Sequence, residues 1–152
     1  MDHGQNPENA SYSYVLLPET SVEETENYVR APKVSILENS SEVQAVYHEE
    51  LGITGINFWR EQGGNVNGIT SDRAASVMLQ ETAKGTLKVS VSDPTMKNQG
   101  QIQITIKKKV GDSILLDESV TCEKTENSVV LVFNMARRNG RSCMAEFKIT
   151  SD

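Results

Sequence analysis

At 152 residues with 37% hydrophobic content, the chain is one domain, or one domain with an appended strand, and is long enough to bury a core without staples. A formal net charge of −6 argues against nucleic acid or an anionic membrane as the main partner, and an acidic polysaccharide would need a local basic patch. No apolar run approaches the ~18 residues of a membrane span, and Cys122 and Cys143 lack CxxC or metal-ligand spacing.

The chain opens on a turn-rich loop punctuated by Gly4, Asn6, Pro7 and Asn9, whose backbones are permissive or preset. Tyr12, Tyr14 and Leu16 then alternate with Ser13, Val15 and Leu17, which predicts a strand, and Pro18 stops it. Residues 19–30 predict a short helix capped by Thr20 or Ser21, with Glu23 and Glu24 at the end that favours anions and Arg30 at the other. Val22 and Val29 share one of its faces, and its acidity reads as a solvated surface.

Beyond Pro32 the pattern is β almost throughout. Residues 33–37 and 42–48 predict strands around an Asn39-Ser40-Ser41 turn, and residues 53–60 a third, with Ile56 and Phe58 on one face and Trp59 on the other. Gly63-Gly64-Asn65 predicts a turn between antiparallel strands, with Val66 to Ile69 continuing beyond it. Residues 74–82 are a weaker strand before a Lys84-Gly85 turn. Leu87, Val89 and Val91, then Ile102, Ile104 and Ile106, give two half-buried strands by strict alternation. Gly111-Asp112 predicts a turn, Ile114 to Leu116 the next strand, Val120 and Cys122 one face of another, and Val129 to Phe133 an interior run. Arg138-Asn139-Gly140 signals a hairpin, and residues 143–149 close the domain.

Short strands with turn signals every eight to twelve residues and one helix near the N-terminus predict an all-β fold, an antiparallel β-sandwich. The one boundary falls near Arg30, separating a strand and helix (residues 1–30) from a self-contained sandwich (residues 31–152). The strand at residues 11–17 must pair with the sandwich or with chain upstream, because a bare edge exposes backbone donors. Adjacent antiparallel strands could bring Cys122 and Cys143 into disulfide range; otherwise each is a small buried apolar residue.

Catalytic patterns are missing. His3 and His48 are the only histidines, no serine sits in a GxSxG elbow, and neither cysteine has a nucleophile motif. No HExxH spacing or phosphate-binding glycine loop occurs. No cofactor is expected; Asp93, Asp112 and Asp117 lie near strand ends where loops could hold calcium, yet no EF-hand pattern is present. For binding, Trp59 can stack on a sugar ring while Arg60 forks onto a carboxylate. Burial of Trp59 is the competing reading, although Phe58 facing inward would turn it outward. Lys107-Lys108-Lys109 and Arg137, Arg138 and Arg141 are two basic clusters beside turns, either solvated strand ends or local positive fields for a polyanion.

The segment His3-Gly4-Gln5-Asn6-Pro7, followed by Ala10-Ser11-Tyr12-Ser13-Tyr14-Val15-Leu16-Leu17-Pro18, resembles the closing segment of the central β domain of the family 8 polysaccharide lyases, which include hyaluronate, chondroitin AC and xanthan lyases. Val91-Ser92-Asp93-Pro94-Thr95 resembles an element of their C-terminal β-sandwich. The resemblance implies a C-terminal, non-catalytic portion of a secreted enzyme that cleaves acidic polysaccharides by β-elimination. The family's catalytic Asn, His, Tyr and Arg belong mainly to an upstream α/α-toroid, so none is carried over, and His3 is read as structural. The implied partners are an acidic polysaccharide and the upstream catalytic and central domains of the same protein, in an extracellular setting. Met1-Asp2 begins without an apolar leader, so an excerpt of a longer chain is expected. A stand-alone carbohydrate-binding module and a purely structural interdomain domain are the alternatives; Trp59, Arg60, Arg137 and Arg138 are the candidate sugar contacts, and Tyr12 and Tyr14 are expected to pack against a neighbouring domain.

Overall fold

The structure, a computed structural model, describes Gln5 and residues 11–150. His3, Gly4, Asn6, Pro7 and Asn9 lie outside the described residues. The chain falls into two compact units that divide between Lys33 and Val34.

In the first unit, α1 (Val22–Arg30) starts at Ser21, whose hydroxyl accepts from the Glu24 N–H while the Glu24 carboxylate accepts from the Ser21 N–H. This capping box satisfies two otherwise orphaned donors. The hydrogen bond from the Ser21 backbone, then that from its hydroxyl, holds the Glu24 carboxyl below its ordinary range. No residue of α1 is buried, and Val22 and Val29 are exposed. Residues 11–17 form no strand, contrary to expectation. Alternation prepares a strand, but only a partner's backbone completes one, and no described strand pairs with this segment. What survives is the alternation itself: the Tyr12 and Tyr14 rings stack with centroids 6.3 Å apart.

The second unit is the antiparallel sandwich. Its strands are β1 (Val34–Asn39), β2 (Val43–His48), β3 (Ile53–Phe58), β4 (Gly64–Val66), β5 (Ile69–Ser71), β6 (Ala75–Glu81), β7 (Thr86–Ser92), β8 (Gln101–Ile106), β9 (Val110–Leu116), β10 (Val120–Lys124), β11 (Val129–Asn134) and β12 (Cys143–Ile149). Seven strands form one sheet in the order β1-β2-β3-β6-β7-β12-β9, and five form the other in the order β10-β11-β8-β5-β4. The period-2 patterns become the core directly. Val89, Val91, Ile102, Ile104, Leu131 and Phe133 are all buried, with Phe58 and Phe147 among the largest side chains fully enclosed.

Four turns differ from expectation. Residues 60–63 carry the chain from β3 across to the second sheet, closed by the Gly63 N–H donating to the Arg60 carbonyl at 3.0 Å. The hairpin lies one step later: Asn67 and Gly68, with φ of 49° and 77°, join β4 to β5. Asn-Gly suits such a two-residue turn because both positions need positive φ. Gly111-Asp112 lies inside β9, where Gly111 gives room to Thr150 rather than turning the chain; an added Cβ would come within 3.1 Å of that side chain. Asn139-Gly140 does turn the chain, but β11 and β12 belong to different sheets, so the segment is a crossover and not a hairpin. For the same reason the premise for a disulfide fails: β10 carries Cys122 and β12 carries Cys143 in opposite sheets, and both are free thiols.

Candidate functional site

Strand register sends six connections to one end of the sandwich. Val43 pairs with Phe58, Phe58 with Ala75, Ser76 with Ser92, and Val91 with Cys143 in the larger sheet; Asn134 pairs with Gln101 and Ser71 with Gly64 in the smaller. The segments 40–42, 59–63, 72–74, 93–100, 117–119 and 135–142 therefore lie together. Every arginine beyond residue 33 is on them: Arg60, Arg73, Arg137, Arg138 and Arg141. Lys84, Lys107, Lys108 and Lys124 are at the opposite end, with Lys97 the exception among these loops. His48 is also at that opposite end, its Nδ1 accepting from the Leu51 N–H in an ordinary turn.

Trp59 follows inward-facing Phe58 and so points out, with 48% of its surface exposed. Its N–H donates to the Glu42 carbonyl at 2.9 Å and its indole Nε1 to Gln44 Oε1 at 3.3 Å, which ties the ring's edge to β2. Arg60 pairs with the Glu42 carboxylate. That pair is exposed, so its net worth is small and the guanidinium can exchange partners at little cost. Arg73 was not singled out by the sequence; its Nε lies 3.6 Å from Asp72 Oδ1, which also accepts from the Gln103 N–H.

The loop after β7 is organised by Asp93. Its side chain is buried, with Oδ1 accepting from the Thr95 N–H and hydroxyl at 2.9 and 2.7 Å, and Oδ2 from the Asn98 N–H at 2.8 Å. Burial pushes the carboxyl up, but the donors from Asn98, Thr95 and Lys97 outweigh it and hold it below the ordinary aspartate range. Both oxygens are thus committed to local donors. Asp112 lies at the far end opposite Lys148, and Asp117 accepts from the Met144 N–H, so the three candidate aspartates do not converge.

Loop 135–142 is stitched onto this one. Met135 donates to the Gly100 carbonyl at 2.8 Å, and the Arg137 N–H to Gln99 Oε1 at 3.3 Å. Arg137, Asn139 and Gly140 all have positive φ, and a Cβ on Gly140 would come within 2.8 Å of Met96 Cγ. Arg137 and Arg138 are thereby held on a tightly wound turn. Among the described residues, no carboxylate forms an ion pair with Arg137, Arg138 or Arg141. Two strands lie between β3 and β12, so the loop carrying the Trp59–Arg60 pair and the loop carrying the 137–138 pair share one end without being neighbours in the sheet. Arg73 and loop 93–100 fill the interval. The arrangement can present aromatic and guanidinium groups to an extended anionic chain.

Similarity to known proteins follows the same fold. The profile of the polysaccharide lyase family 8, C-terminal beta-sandwich domain, matches residues 35–102. Xanthan lyase from a Bacillus species is 36% identical over 152 residues, all of this chain and 16% of its own. Hyaluronate lyase HylB of Enterococcus faecalis is 32% identical over 96% of this chain and 14% of its own. The solved structure of Paenibacillus xanthan lyase superposes with a TM-score of 0.92 at 42% identity, covering 99% of this chain and 14% of that one. The chain thus spans about one-seventh of the relatives it matches, and its sandwich is the C-terminal β-sandwich of a family 8 polysaccharide lyase.

Proposed function

We propose that this sandwich is the non-catalytic C-terminal support of a secreted lyase that cleaves uronate-containing polysaccharides by β-elimination, and that its arginine-bearing end holds the glycan. The carrying observation is that outward-facing Trp59, Arg60, Arg137 and Arg138 all lie at one end of the sandwich, in a chain that is net negative. Trp59 offers a stacking face, and the guanidinium groups offer forks for uronate carboxylates. The relatives named for action on xanthan and hyaluronate, both acidic polymers, support this substrate class. On this reading the catalytic groups lie in other domains, residues 1–30 belong with the upstream central domain, and residues 31–152 act by binding and support.

Calorimetric titration of the chain with hyaluronan, chondroitin and xanthan at low and moderate salt tests the reading. Saturable binding of one polymer that survives moderate salt and is lost on joint Arg137→Ala and Arg138→Ala substitution supports it. Flat traces with all three remove glycan binding and leave interdomain support alone. Exposed Tyr12, Tyr14 and Leu16 favour that second, purely structural reading.

A further inference from the structure

Loops 93–100 and 135–142 interlock through the side chain of Met96. Its φ of 58° is left-handed, a conformation that costs a residue bearing a Cβ, and its N–H donates to the Asp93 carbonyl at 3.3 Å. There the thioether lies against the Cα of Gly140. A Cβ built on that glycine would come within 2.8 Å of Met96 Cγ and 3.4 Å of its Sδ, with the Asp93 carbonyl oxygen 3.8 Å away. A bare Cα admits the side chain this closely, and methionine is unbranched and adaptable enough to fill the space. Asp93 anchors one side of the contact. On the other, the Arg138 N–H donates to the Met135 carbonyl and the Arg141 N–H to the Arg138 carbonyl, both at 3.0 Å. Met96 thus clamps the turn that presents Arg137 and Arg138.

The clamp is also accessible. Met96 is 64% exposed, against 47% for Met78 and 43% for Met144, whereas Met135 in the same pair of loops is buried. An accessible thioether is open to peroxides, which convert it into a polar, chiral sulfoxide. A lone pair of Sδ attacks one peroxide oxygen and forms an S–O bond as the O–O bond breaks. The other oxygen leaves as water, taking the proton of the first, so the sulfur is oxidised and the peroxide reduced. The new oxygen is a hydrogen-bond acceptor. Where the thioether now sits it would face the Gly140 Cα and the Asp93 carbonyl, neither of which is an N–H or O–H donor. The sulfoxide therefore turns to water, and the contact opens.

We infer that Met96 is a peroxide-sensitive modification site, and that its oxidation releases the 135–142 turn and weakens the hold of Arg137 and Arg138 on an acidic glycan. The glycan clause rests on the binding reading above; release of the turn does not.

The test treats the chain and its Met96→Leu variant with dilute hydrogen peroxide, locates sulfoxides by peptide mass mapping and follows amide hydrogen exchange. Leucine keeps the volume, is also unbranched at Cβ and has no sulfur to oxidise. In the parent, Met96 should be converted before Met78 and Met144. The amides of Met135, Arg138 and Arg141 should then exchange roughly tenfold faster. In Met96→Leu the same amides should stay slow after peroxide, although Met78 and Met144 still oxidise. Slower conversion of Met96 than of Met78 or Met144, unchanged exchange once it is converted, or equal acceleration in Met96→Leu overturns the proposal. Calorimetric titration with the uronate polymer that the untreated chain binds decides the glycan clause. Peroxide should lower affinity several-fold in the parent and leave it unchanged in Met96→Leu; unaltered affinity in the oxidised parent overturns that clause. An untreated chain that binds none of hyaluronan, chondroitin and xanthan removes the binding reading and the glycan clause together, while hydrogen exchange still decides the Met96 site.

Discussion

Asp93 and Trp59 show how different two single side chains can be in what they contribute. Asp93 converts one buried carboxylate into the anchor of a loop, since its oxygens take three donors from Thr95 and Asn98. Asp93→Ala leaves those donors unmet and should cost about 1.5–3 kcal/mol at neutral pH, read as a lower urea midpoint. The folded carboxyl is held below its unfolded value, so its contribution is fully present above the unfolded pKa of about 3.9. It is lost as pH falls through the lower folded value. The gap between parent and variant should therefore be constant near neutrality and close on acidification below about pH 4; a gap unchanged at low pH would deny the carboxylate this role. Trp59 contributes little to the core, being half exposed and fixed at its edge by Gln44. Trp59→Ala should cost about 1 kcal/mol or less, against about 3–5 kcal/mol for Phe133→Ala in the enclosed core. Glycan affinity should fall with Trp59→Ala even so, and an unfolded Trp59→Ala chain would place the ring's role in stability.

At the scale of elements, the turns decide which strands meet. Gly68, at φ 77° in the β4–β5 hairpin, faces Lys107, whose Cβ would lie 3.3 Å from an added Cβ. Gly68→Ala should lower stability by about 1 kcal/mol or more through backbone strain. Gly140→Ala should cost more, because its clash is with Met96 at 2.8 Å within two interlocked loops, and thermal melts of the two variants should rank that way. Such positions also mark where the sequence was legible. Ile102, Ile104 and Ile106 announce a strand and its buried face because alternation is a local property. Phe58 and Trp59 were separable for the same reason. By contrast, Asn139-Gly140 reads as a hairpin because a turn signal fixes the bend but says nothing about which sheet receives the next strand. Residues 11–17 carry a strand pattern, yet no described strand pairs with them, and pairing is not a local property. Arg73 escaped notice since only the β5–β6 connection brings it beside the loops of Trp59 and Asp93.

For the whole molecule, the sign of the net charge conceals its distribution. At −6 overall the chain should repel a polyanion at long range. The sandwich's five guanidinium groups nevertheless gather at one of its ends, where Arg60 and Arg73 are paired with Glu42 and Asp72, and Arg137, Arg138 and Arg141 form no ion pair among the described residues. Two opposing effects then govern binding. Added salt screens the general repulsion and also weakens the local contacts, which are exposed and sensitive to ionic strength. If the glycan lies along the arginine end, the local effect wins, and affinity should fall as salt rises despite like net charge. Glu42→Gln provides the discriminating case, since it frees Arg60 and removes one repulsive carboxylate while changing no arginine. Affinity for a uronate polymer should rise several-fold at low salt, and the gain should shrink at moderate salt. Joint Arg137→Ala and Arg138→Ala substitution should flatten the salt dependence instead. An unchanged affinity in Glu42→Gln would mean that Arg60 stays outside the path of the chain, and the contact would then reduce to the 137–141 turn.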